Sequence, residues 1–405
     1  MPSLPLSLSL SLSLSLVLWL GLVSGAQARE VELSGQIDIE MQHFPETPAD
    51  PEQHKTYLSL GAEPEWYKQW DGGDNAVVFR PFLRTGNHDS HRDHVDIREL
   101  NWLHVGDGWQ VRSGISRVFW GVAESQHLVD IINQTDTLEG ADDEDRLGQP
   151  MVNLTLIRDW GDLSLFWLPY FRERTFAGDE GRLRPQPAIE TDRARYESGA
   201  EQAHQDFAIR WSHVIGPMDL ALSHFSGTSR DPILLAETDR SGNLVLIPFY
   251  EQIEQSALEL TAVQGDLLWK LEALYRDGRS DDYWAAVGGF EYTLVGVMDT
   301  AADLGLLLEY HYDERGEEAT SPFQDDLFLG LRMGLNDIQT TEILAGVILD
   351  NESDAMLGFV EASSRLDEDF RLSLEWRTFK DLETEDPLFS VRRDDLLLLN
   401  LAYFF

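Results

Sequence analysis

The stretch from His88 to His94, His-Asp-Ser-His-Arg-Asp-His, holds the densest group of side chains in this chain that could do chemistry. Imidazole and carboxylate groups can bind a metal ion or position a water molecule for hydrolysis. The spacing matches no nucleophile motif, and polar residues at a loop tip are the simpler interpretation. The sequence also has no phosphate-binding glycine loop with the required lysine. We therefore predict no catalytic residue, no metal and no cofactor.

A two-residue alternation runs through most of the chain and defines the elements that would position any such group. Between residues 31 and 41, apolar side chains at most odd positions alternate with Glu, Ser, Gln and Asp at even positions. This alternation is typical of a strand with one apolar face and one face in water. Residues 267–276, 327–335 and 370–377 repeat it. Segments 94–105 and 151–160 break it, and we expect bulges or lost register there.

The spacing of the strands predicts the fold. We count 18 candidate strands, starting near residues 31, 55, 76, 94, 109, 151, 163, 206, 218, 256, 267, 283, 303, 325, 340, 355, 369 and 395. Every second connection is short, and most of these are Gly, Asp or Asn turns. All long connections belong to the other set, near residues 43–54, 121–149, 173–204, 228–252, 314–323 and 381–393. This indicates an all-β fold, a transmembrane antiparallel up-and-down β-barrel with short periplasmic turns and long external loops. Sixteen strands, or a water-soluble β-sandwich, are the alternatives.

Composition excludes several classes of protein. The chain has 405 residues, a formal net charge of −41 and no cysteine. Nucleic-acid binding is disfavoured because it requires a positive footprint along the phosphates. Hydrophobic residues make up 42% of the chain, which argues against a natively disordered protein. No segment after residue 28 approaches the roughly 18 to 20 uninterrupted apolar residues of a transmembrane helix. We therefore expect any membrane embedding to use strands.

Both ends of the chain fit an exported barrel. Residues 1–28 carry no Lys, Arg, Asp or Glu and end in Ala26-Gln27-Ala28, a small-x-small cleavage site. We predict a signal peptide over 1–28 and a barrel over 29–405, with an uncleaved membrane anchor as the alternative. Every second residue from Leu397 to Phe405 is apolar or aromatic. This last strand resembles the insertion signal of bacterial outer-membrane barrels, which implies that location and recognition by the barrel-assembly machinery.

The connection from His127 to Gln149 is predicted to narrow the lumen. Eighteen strands leave an aqueous passage, whereas about eight are filled by their own side chains. The apolar part of this connection, Leu128 to Ile132, suggests packing against the inner wall. Packing over the rim is the alternative. Acidic groups facing basic ones across a constriction set the preferences of many channels. The predicted constriction residues are Asp130, Glu139, Asp142, Asp143, Glu144 and Asp145.

Charged residues on the inward phases of the strands would face this loop. Basic residues cluster in the N-terminal half, against Glu32, Asp38 and Glu40 on the first strand. Each one taken singly is better interpreted as a solvated wall residue than as a ligand contact. Their clustering is what indicates a filter. The predicted pore-lining residues are Arg80, Arg84, Asp96, Arg98, Arg112 and Arg210.

Two neighbouring segments carry a family resemblance over about thirty residues. Asp96 to Trp102, Asp-Ile-Arg-Glu-Leu-Asn-Trp, and Val111 to Gly121, Val-Arg-Ser-Gly-Ile-Ser-Arg-Val-Phe-Trp-Gly, resemble a hairpin of Gram-negative porin-like families, including alginate-export channels. In such families the hairpin precedes a loop that narrows the pore, and lumenal arginines guide anionic solutes. The resemblance implies that Arg98 and Arg112 line the passage. The high acidity of the chain leaves ion selectivity open.

These patterns together predict a function. We expect an outer-membrane, porin-like channel for passive diffusion of small hydrophilic or charged solutes. The alternative is a plugged structural or binding barrel whose acidic external loops bind polysaccharide, lipopolysaccharide or a partner protein. A hydrolase at the barrel rim is a third hypothesis. The expected partners are outer-membrane lipid and lipopolysaccharide, the barrel-assembly machinery and small solutes, with no nucleic acid and with homo-oligomerisation left open.

Overall fold

The computed structural model describes residues 31–140, 144–280 and 282–405. The predicted signal peptide, 1–28, lies outside the described residues. The strands are β1 Glu32–His43, β2 Thr56–Trp70, β3 Asn75–Gly86, β4 His94–Gly106, β5 Trp109–Ser116, β6 Gln149–Arg158, β7 Gly161–Leu168, β8 Arg195–Tyr196, β9 Asp206–Ile215, β10 Met218–Thr228, β11 Ile233–Thr238, β12 Leu244–Tyr250, β13 Gln252–Gln264, β14 Leu267–Gly278, β15 Asp282–Leu294, β16 Asp303–Asp313, β17 Asp325–Gly334, β18 Glu342–Asp350, β19 Met356–Arg365, β20 Phe370–Lys380 and β21 Leu396–Phe404.

Helical structure in the described residues is limited to single 3₁₀ turns. They span Asp71–Gly73, Thr191–Arg193, Glu201–Ala203, Val297–Asp299, Gly316–Glu318 and Phe389–Val391. None of the helical segments in the described ranges is long and apolar enough to cross a membrane.

Eighteen of the strands form one closed antiparallel barrel. Each pairs with the next barrel strand in sequence, and β1 pairs with β21 to close the circle, with Ile39 opposite Leu401. Every predicted strand start lies within four residues of an observed one. The predicted 18-stranded barrel is therefore confirmed, and the alternatives of sixteen strands and of a sandwich are wrong.

The alternation divides each strand between two environments as predicted. On β1, Asp38 and Glu40 point into the barrel and are almost completely buried, whereas Ile39 between them points outward and is 59% exposed. On the last strand, Leu401, Tyr403 and Phe405 share the outer face. The outer surface of the barrel is therefore an apolar band, as a lipid environment requires.

The connections have the expected two classes. Tight turns join the strands at one rim, and glycines with positive φ occupy them where a left-handed conformation is needed, as at Gly108 (φ 71°) and Gly216 (φ 63°). All long connections lie at the other rim, the longest being residues 117–148 and 169–205. We call these the constriction loop and the lid loop.

The expected register breaks are confirmed in one of the two segments. Across the β3–β4 pair, Arg80 faces Glu99 but Pro81 faces Ile97, so Arg98 is an extra residue at a bulge. The second expectation is wrong, because β6 pairs without interruption with both β5 and β7. Its alternation looks broken because Met151 is apolar on the inward face, where it packs under the constriction loop.

A small external sheet was not predicted. Strands β11 and β12 form a hairpin, and β12 also pairs in parallel with the short β8 of the lid loop. All three lie in segments that the sequence analysis treated only as long connections. The sheet ties the lid loop to the connection between β10 and β13.

Gly346 makes room for two aromatic rings on the inner wall. Phe328 on β17 and Phe359 on β19 stack with centroids 5.9 Å apart and with planes within 2° of parallel. A Cβ atom at Gly346 on β18 would lie 2.4 Å from the Phe328 ring and 2.7 Å from the Phe359 ring. The two rings therefore meet beside the backbone of Gly346 on β18.

Replacing Gly346 with Ala should destabilise the barrel, because both rings must move. We expect a loss of about 1–3 kcal/mol, the usual range for overpacking. Gly199→Ala is the matched control, since nothing lies within 4 Å of its added Cβ. Urea unfolding of the refolded proteins measures both changes, and equal midpoints for the two variants would contradict this packing.

Candidate functional site

The constriction loop lies inside the barrel. Its apolar residues Val129, Ile131 and Ile132 are buried in one cluster with inward-facing residues of the wall, among them Phe166 on β7 and Phe225 on β10. Apolar side chains on the inward faces of a water-filled barrel would be poorly placed without a cover. The loop is that cover, so it packs on the inner wall as the sequence predicted.

Three wall carboxylates hold residues 121–125 of the constriction loop, which we call its outgoing arm. They are Glu259 on β13, Glu272 on β14 and Glu309 on β16. In chain order, the five backbone N–H groups from Gly121 to Ser125 donate to them, one to Glu259, two to Glu272 and two to Glu309, over N···O distances of 2.6 to 3.1 Å. Val129 N–H donates a further bond to Glu272. The irregular backbone therefore crosses the lumen with its donors paired to charged acceptors.

The second half of the loop is a hairpin held by arginines. Thr135 forms an antiparallel bridge with Arg146, and the backbones of Asp136 and Asp145 also pair. At the wall, Arg98 donates to Asp136 over 2.8 Å. We call the described residues of this segment, 134–140 and 144–147, the constriction hairpin.

A buried ion network continues from this hairpin to the barrel closure. Arg84 on β3 donates to Glu139 over 2.7 Å and also lies 3.2 Å from Asp38 on β1. His94 lies 3.5 Å from Asp136. Charges on β1, β3 and β4 thus hold the hairpin against the wall opposite the outgoing arm.

The carboxylates of the constriction loop respond differently to burial. Burial alone would raise the pKa of Asp136, but the His94 ring and the Arg98 charge outweigh it and hold the pKa well below its ordinary value. At Glu139 and Asp130, burial prevails over the neighbouring arginines and raises each pKa. An unfolded aspartate has a pKa of about 3.9. The Asp136 contact therefore stabilises the fold at neutral pH and is lost only as the pH falls below that value.

The six predicted pore-lining residues all lie on the inner side of the barrel. Four belong to contacts described above or below: Arg84 and Arg98 are buried under the hairpin, Asp96 pairs with Arg98 and Arg172, and Arg210 pairs with Glu259 and lies over the Trp120 ring. Arg80 pairs with Glu65 and is about one-third exposed. Arg112 has no ion-pair partner in the described part of the chain. That these residues line a pore stays a prediction.

The predicted constriction residues fall into four groups. Asp130 and Glu139 are buried in ion pairs, with Asp130 2.9 Å from Arg146. Glu144 is the exposed member, at 63%, and its carboxylate lies 3.5 Å from His127. Asp145 contributes the backbone contact of the hairpin. Asp142 and Asp143 lie outside the described residues.

The sequence analysis missed the three wall glutamates. Glu272 stood among the inward residues of its strand, and an acidic residue at an inward position was the only signal available. Its partners are backbone N–H groups, which every residue type except proline carries. The pairing could therefore not be read from side-chain types.

The lid loop crosses the mouth of the barrel at the rim of the long connections, above the constriction hairpin. Near its start it binds the hairpin, since Thr137 donates to the Thr175 carbonyl and Thr175 donates to Asp136. Farther along, the lid loop reaches the wall near β2 and β21. There Tyr57 donates to the Glu180 carbonyl over 2.5 Å, and Arg182 donates to Asp394 over 2.7 Å. The mouth therefore carries two layers of loop.

The histidine-rich stretch lies in the β3–β4 connection at the same rim. His88 stacks on His54 at 3.7 Å, and Asp89 accepts the backbone N–H of His91. Within the described ranges, no three His, Asp or Glu side chains are grouped in a way that could hold a metal ion. These contacts explain the stretch as loop structure.

Comparison with known proteins yields structural similarity only. No protein-family model and no curated protein matches the chain. Among solved structures, a Rhodopseudomonas blastica porin carrying five substitutions aligns at 12% identity with a TM-score of 0.47, over 93% of this chain and 100% of that one. A structure described as "Asymmetric conductivity of engineered proteins" aligns over the same shares at 12% identity with a TM-score of 0.45. At these values the comparison carries no functional argument, and the fold rests on this chain's own strand pairing.

Replacing Glu272 with Gln should loosen the constriction loop. The carboxylate accepts three backbone N–H groups, and an amide would turn an NH₂ group toward some of them. An unsatisfied buried group costs about 1–3 kcal/mol. We expect faster hydrogen exchange across residues 118–133. Glu65→Gln is the control, because Glu65 is a wall carboxylate that binds Arg80 and not the loop. Unchanged hydrogen exchange in Glu272→Gln would contradict the role of Glu272 in anchoring the loop.

The His127–Glu144 pair should give the loop a dependence on pH. Burial lowers the pKa of His127, but the Glu144 carboxylate, with Glu272 and Asp130 nearby, outweighs burial and raises that pKa above its ordinary value. A raised pKa means that the contact stabilises the loop below about pH 6.5 and is lost as the pH rises through the folded-state value. NMR titration of His127 should show the raised pKa and a decrease in Glu144→Gln. An identical pKa in both proteins would refute the pairing.

Proposed function

We propose that this protein is an outer-membrane channel for passive diffusion of small hydrophilic solutes, with the constriction loop as its filter. The observation that supports it most strongly is the loop folded into an 18-stranded barrel and held by Glu259, Glu272 and Glu309. A barrel of this width leaves an aqueous interior. A loop anchored inside the barrel narrows this passage while all strands of the wall stay paired.

Partly exposed charged side chains on the loop and the inner wall give the proposed filter its charge pattern. Arg332 on β17 is 41% exposed and pairs with Glu124 of the loop and Glu291 of the wall. Arg117 pairs with Glu63, and both keep some exposure. Positive and negative groups thus share the accessible lumen. Such a lumen selects solutes by size and by the orientation of their charges more than by net charge.

A barrel with a blocked lumen is the second candidate, and the lid loop favours it. The lid is tied to the far wall through buried Arg182, whose guanidinium binds Asp394 and the carbonyl groups of Arg393 and His54. A closed lid would leave the external loops free to bind polysaccharide, lipopolysaccharide or a partner protein. Conductance decides between the two candidates.

Single-channel recording of the refolded full chain in a planar bilayer tests the proposal. We expect steady current, with a reversal potential in a salt gradient that reports the ion preference. Replacing residues 128–146 with a short Gly-Ser linker should raise the conductance severalfold, because the barrier in the lumen is removed. The same replacement of residues 315–320, in the β16–β17 connection, is the control and should change it little.

The outcomes separate the two candidates. Repeated insertion without current would contradict the open channel. If Arg182→Ala then restored current, the lid would be the barrier. If the loop replacement also stayed silent, the blocked barrel would be the better account.

A further inference from the structure

The small external sheet ends in a strand that has a neighbour on one side only. The order of the sheet is β11–β12–β8, so β11 forms one of its edges. Within the described residues nothing pairs with the outer side of β11. Such an edge presents a row of backbone donors and acceptors, and another strand can extend the sheet there. The strand at the opposite edge, β8, is only two residues long.

The hydrogen bonds of β12 show which backbone groups of β11 are free. In an antiparallel pair, every second residue bonds to its neighbour and the residues between point away from it. Leu246 on β12 lies opposite Ala236 on β11. The Leu246 N–H donates to the Ala188 carbonyl over 2.9 Å, and its carbonyl accepts from the Glu190 N–H over 2.9 Å. Both groups of Leu246 are therefore used on the side away from β11, and those of Ala236 point to the free edge.

The same alternation makes Leu234, Ala236 and Thr238 the free residues of β11. Pro248 lies opposite Leu234, and a proline without an N–H fits a pair that exchanges no hydrogen bonds. The edge thus offers three N–H groups and three carbonyl groups that have no partner in the described part of the chain. Ala236 and Thr238 are exposed. Another strand could therefore reach this edge.

The edge of β11 lacks the features that usually keep strand edges apart. Its sequence, Ile-Leu-Leu-Ala-Glu-Thr, contains no lysine and no proline, and its pairing with β12 has no bulge. Its charged residue, Glu237, lies 2.6 Å from Arg193 and 2.6 Å from Arg195. Asp231, just before the strand, lies 3.3 Å from Arg174. Although the chain is strongly acidic, the acids at this edge have basic partners, so like charges do not hold two copies apart here.

The free edge is complementary to itself. A two-fold axis at Ala236 would place Ala236 opposite Ala236 of a second copy and Leu234 opposite Thr238. Each free N–H group of one copy then meets a free carbonyl group of the other. In this register the acidic Glu237 lies opposite Leu235 of the second copy, so no like charges face each other directly. Any extended strand could use the backbone groups, and the symmetry of the edge is what favours a second copy.

We propose that β11 is an association surface, through which two copies of this protein join their external sheets edge to edge in an antiparallel pair. The joined sheet has six strands, three from each copy. The backbone groups of Leu234, Ala236 and Thr238 supply the hydrogen bonds between the copies. The association does not rest on the proposed channel function, because this sheet is separate from the barrel wall.

Sedimentation velocity of the refolded full chain in detergent tests the association. We expect a reversible equilibrium between monomer and dimer, since detergent leaves both barrels free to turn. Ala236→Pro removes the central donor but keeps the ladder to β12, because that N–H points to the free edge. Two hydrogen bonds per dimer are lost, so the dissociation constant should rise about tenfold or more. Ala236→Thr keeps the donor and is the control, with an unchanged constant.

Thiol cross-linking tests the register of the two edges. The chain has no cysteine, so one introduced cysteine per copy is unique. In Ala236→Cys the two thiols lie on residues directly opposite each other, with Cα atoms about 5.5 Å apart. Thr238→Cys is the matched control, exposed on the same face of β11, but its two copies would be about 14 Å apart. A bis-methanethiosulfonate with a two-carbon bridge should join the first variant and leave the second as monomers.

Several results would overturn the proposal. Monomers at every protein concentration would refute the association, and so would a dimer that a folded Ala236→Pro variant leaves equally stable. Linking of Thr238→Cys as readily as Ala236→Cys would refute the register. Monomers that bind a synthetic peptide copying residues 232–239 would assign the edge to a strand of another protein instead of a second copy. Circular dichroism and heat-dependent gel mobility show whether each variant is folded, and the cross-linking test does not need the proline variant.

Discussion

The backbone hydrogen bonds of a loop inside a barrel are the constraint on which the rest of this structure depends. An irregular segment that crosses a lumen exposes N–H groups that have no strand partner, and leaving them unpaired under apolar side chains is unfavourable. Glu259, Glu272 and Glu309 satisfy five consecutive N–H groups from successive wall positions. The register of the loop is therefore set by the register of the barrel wall.

Several other features follow from that anchor. Once the outgoing arm is held at β13 to β16, the apolar residues after it meet the inward apolar faces of β6 to β15. The hairpin is then directed toward β3 and β4, where Arg84 and Arg98 receive its acids. The lid binds that hairpin in turn. Arg84 and Arg98, which the sequence analysis predicted to line the pore, are thus engaged in holding the constriction loop. The chain's acidity likewise has a structural part, because wall carboxylates serve as acceptors.

The fold could be predicted from the sequence because each barrel strand carries its own signal. The two-residue alternation, the succession of short and long connections and the apolar last strand can all be recognised in short stretches of sequence. Together they located each strand to within a few residues. The insertion of the constriction loop could also be predicted, because Leu128 to Ile132 needed an apolar surface. The alternation at 151–160 was misinterpreted because the sequence does not show which wall residues the loop covers. Met151 faces inward because a loop covers it, a contact that strand periodicity does not contain.

The site was less predictable for physical reasons. The anchor uses backbone donors, which leave no trace in residue types. The lid depends on pairs far apart in sequence, with 128 residues between Gln53 and Gly181 and 212 between Arg182 and Asp394. Only the closed barrel brings these groups together.

Cross-linking the outgoing arm to the wall tests the central claim most directly. The chain has no cysteine, so two introduced cysteines are unique. Ser125 and His311 are the suitable pair, because the Ser125 hydroxyl lies 2.7 Å from His311 Nε2 while Glu259, Glu272 and Glu309 stay intact. A short bis-methanethiosulfonate reagent, which forms a disulfide with each thiol and releases methanesulfinate, should link Ser125→Cys to His311→Cys in the folded barrel in a bilayer, giving a joined peptide in mass spectrometry. A folded barrel in which both thiols react separately and never join would contradict a loop anchored inside the lumen.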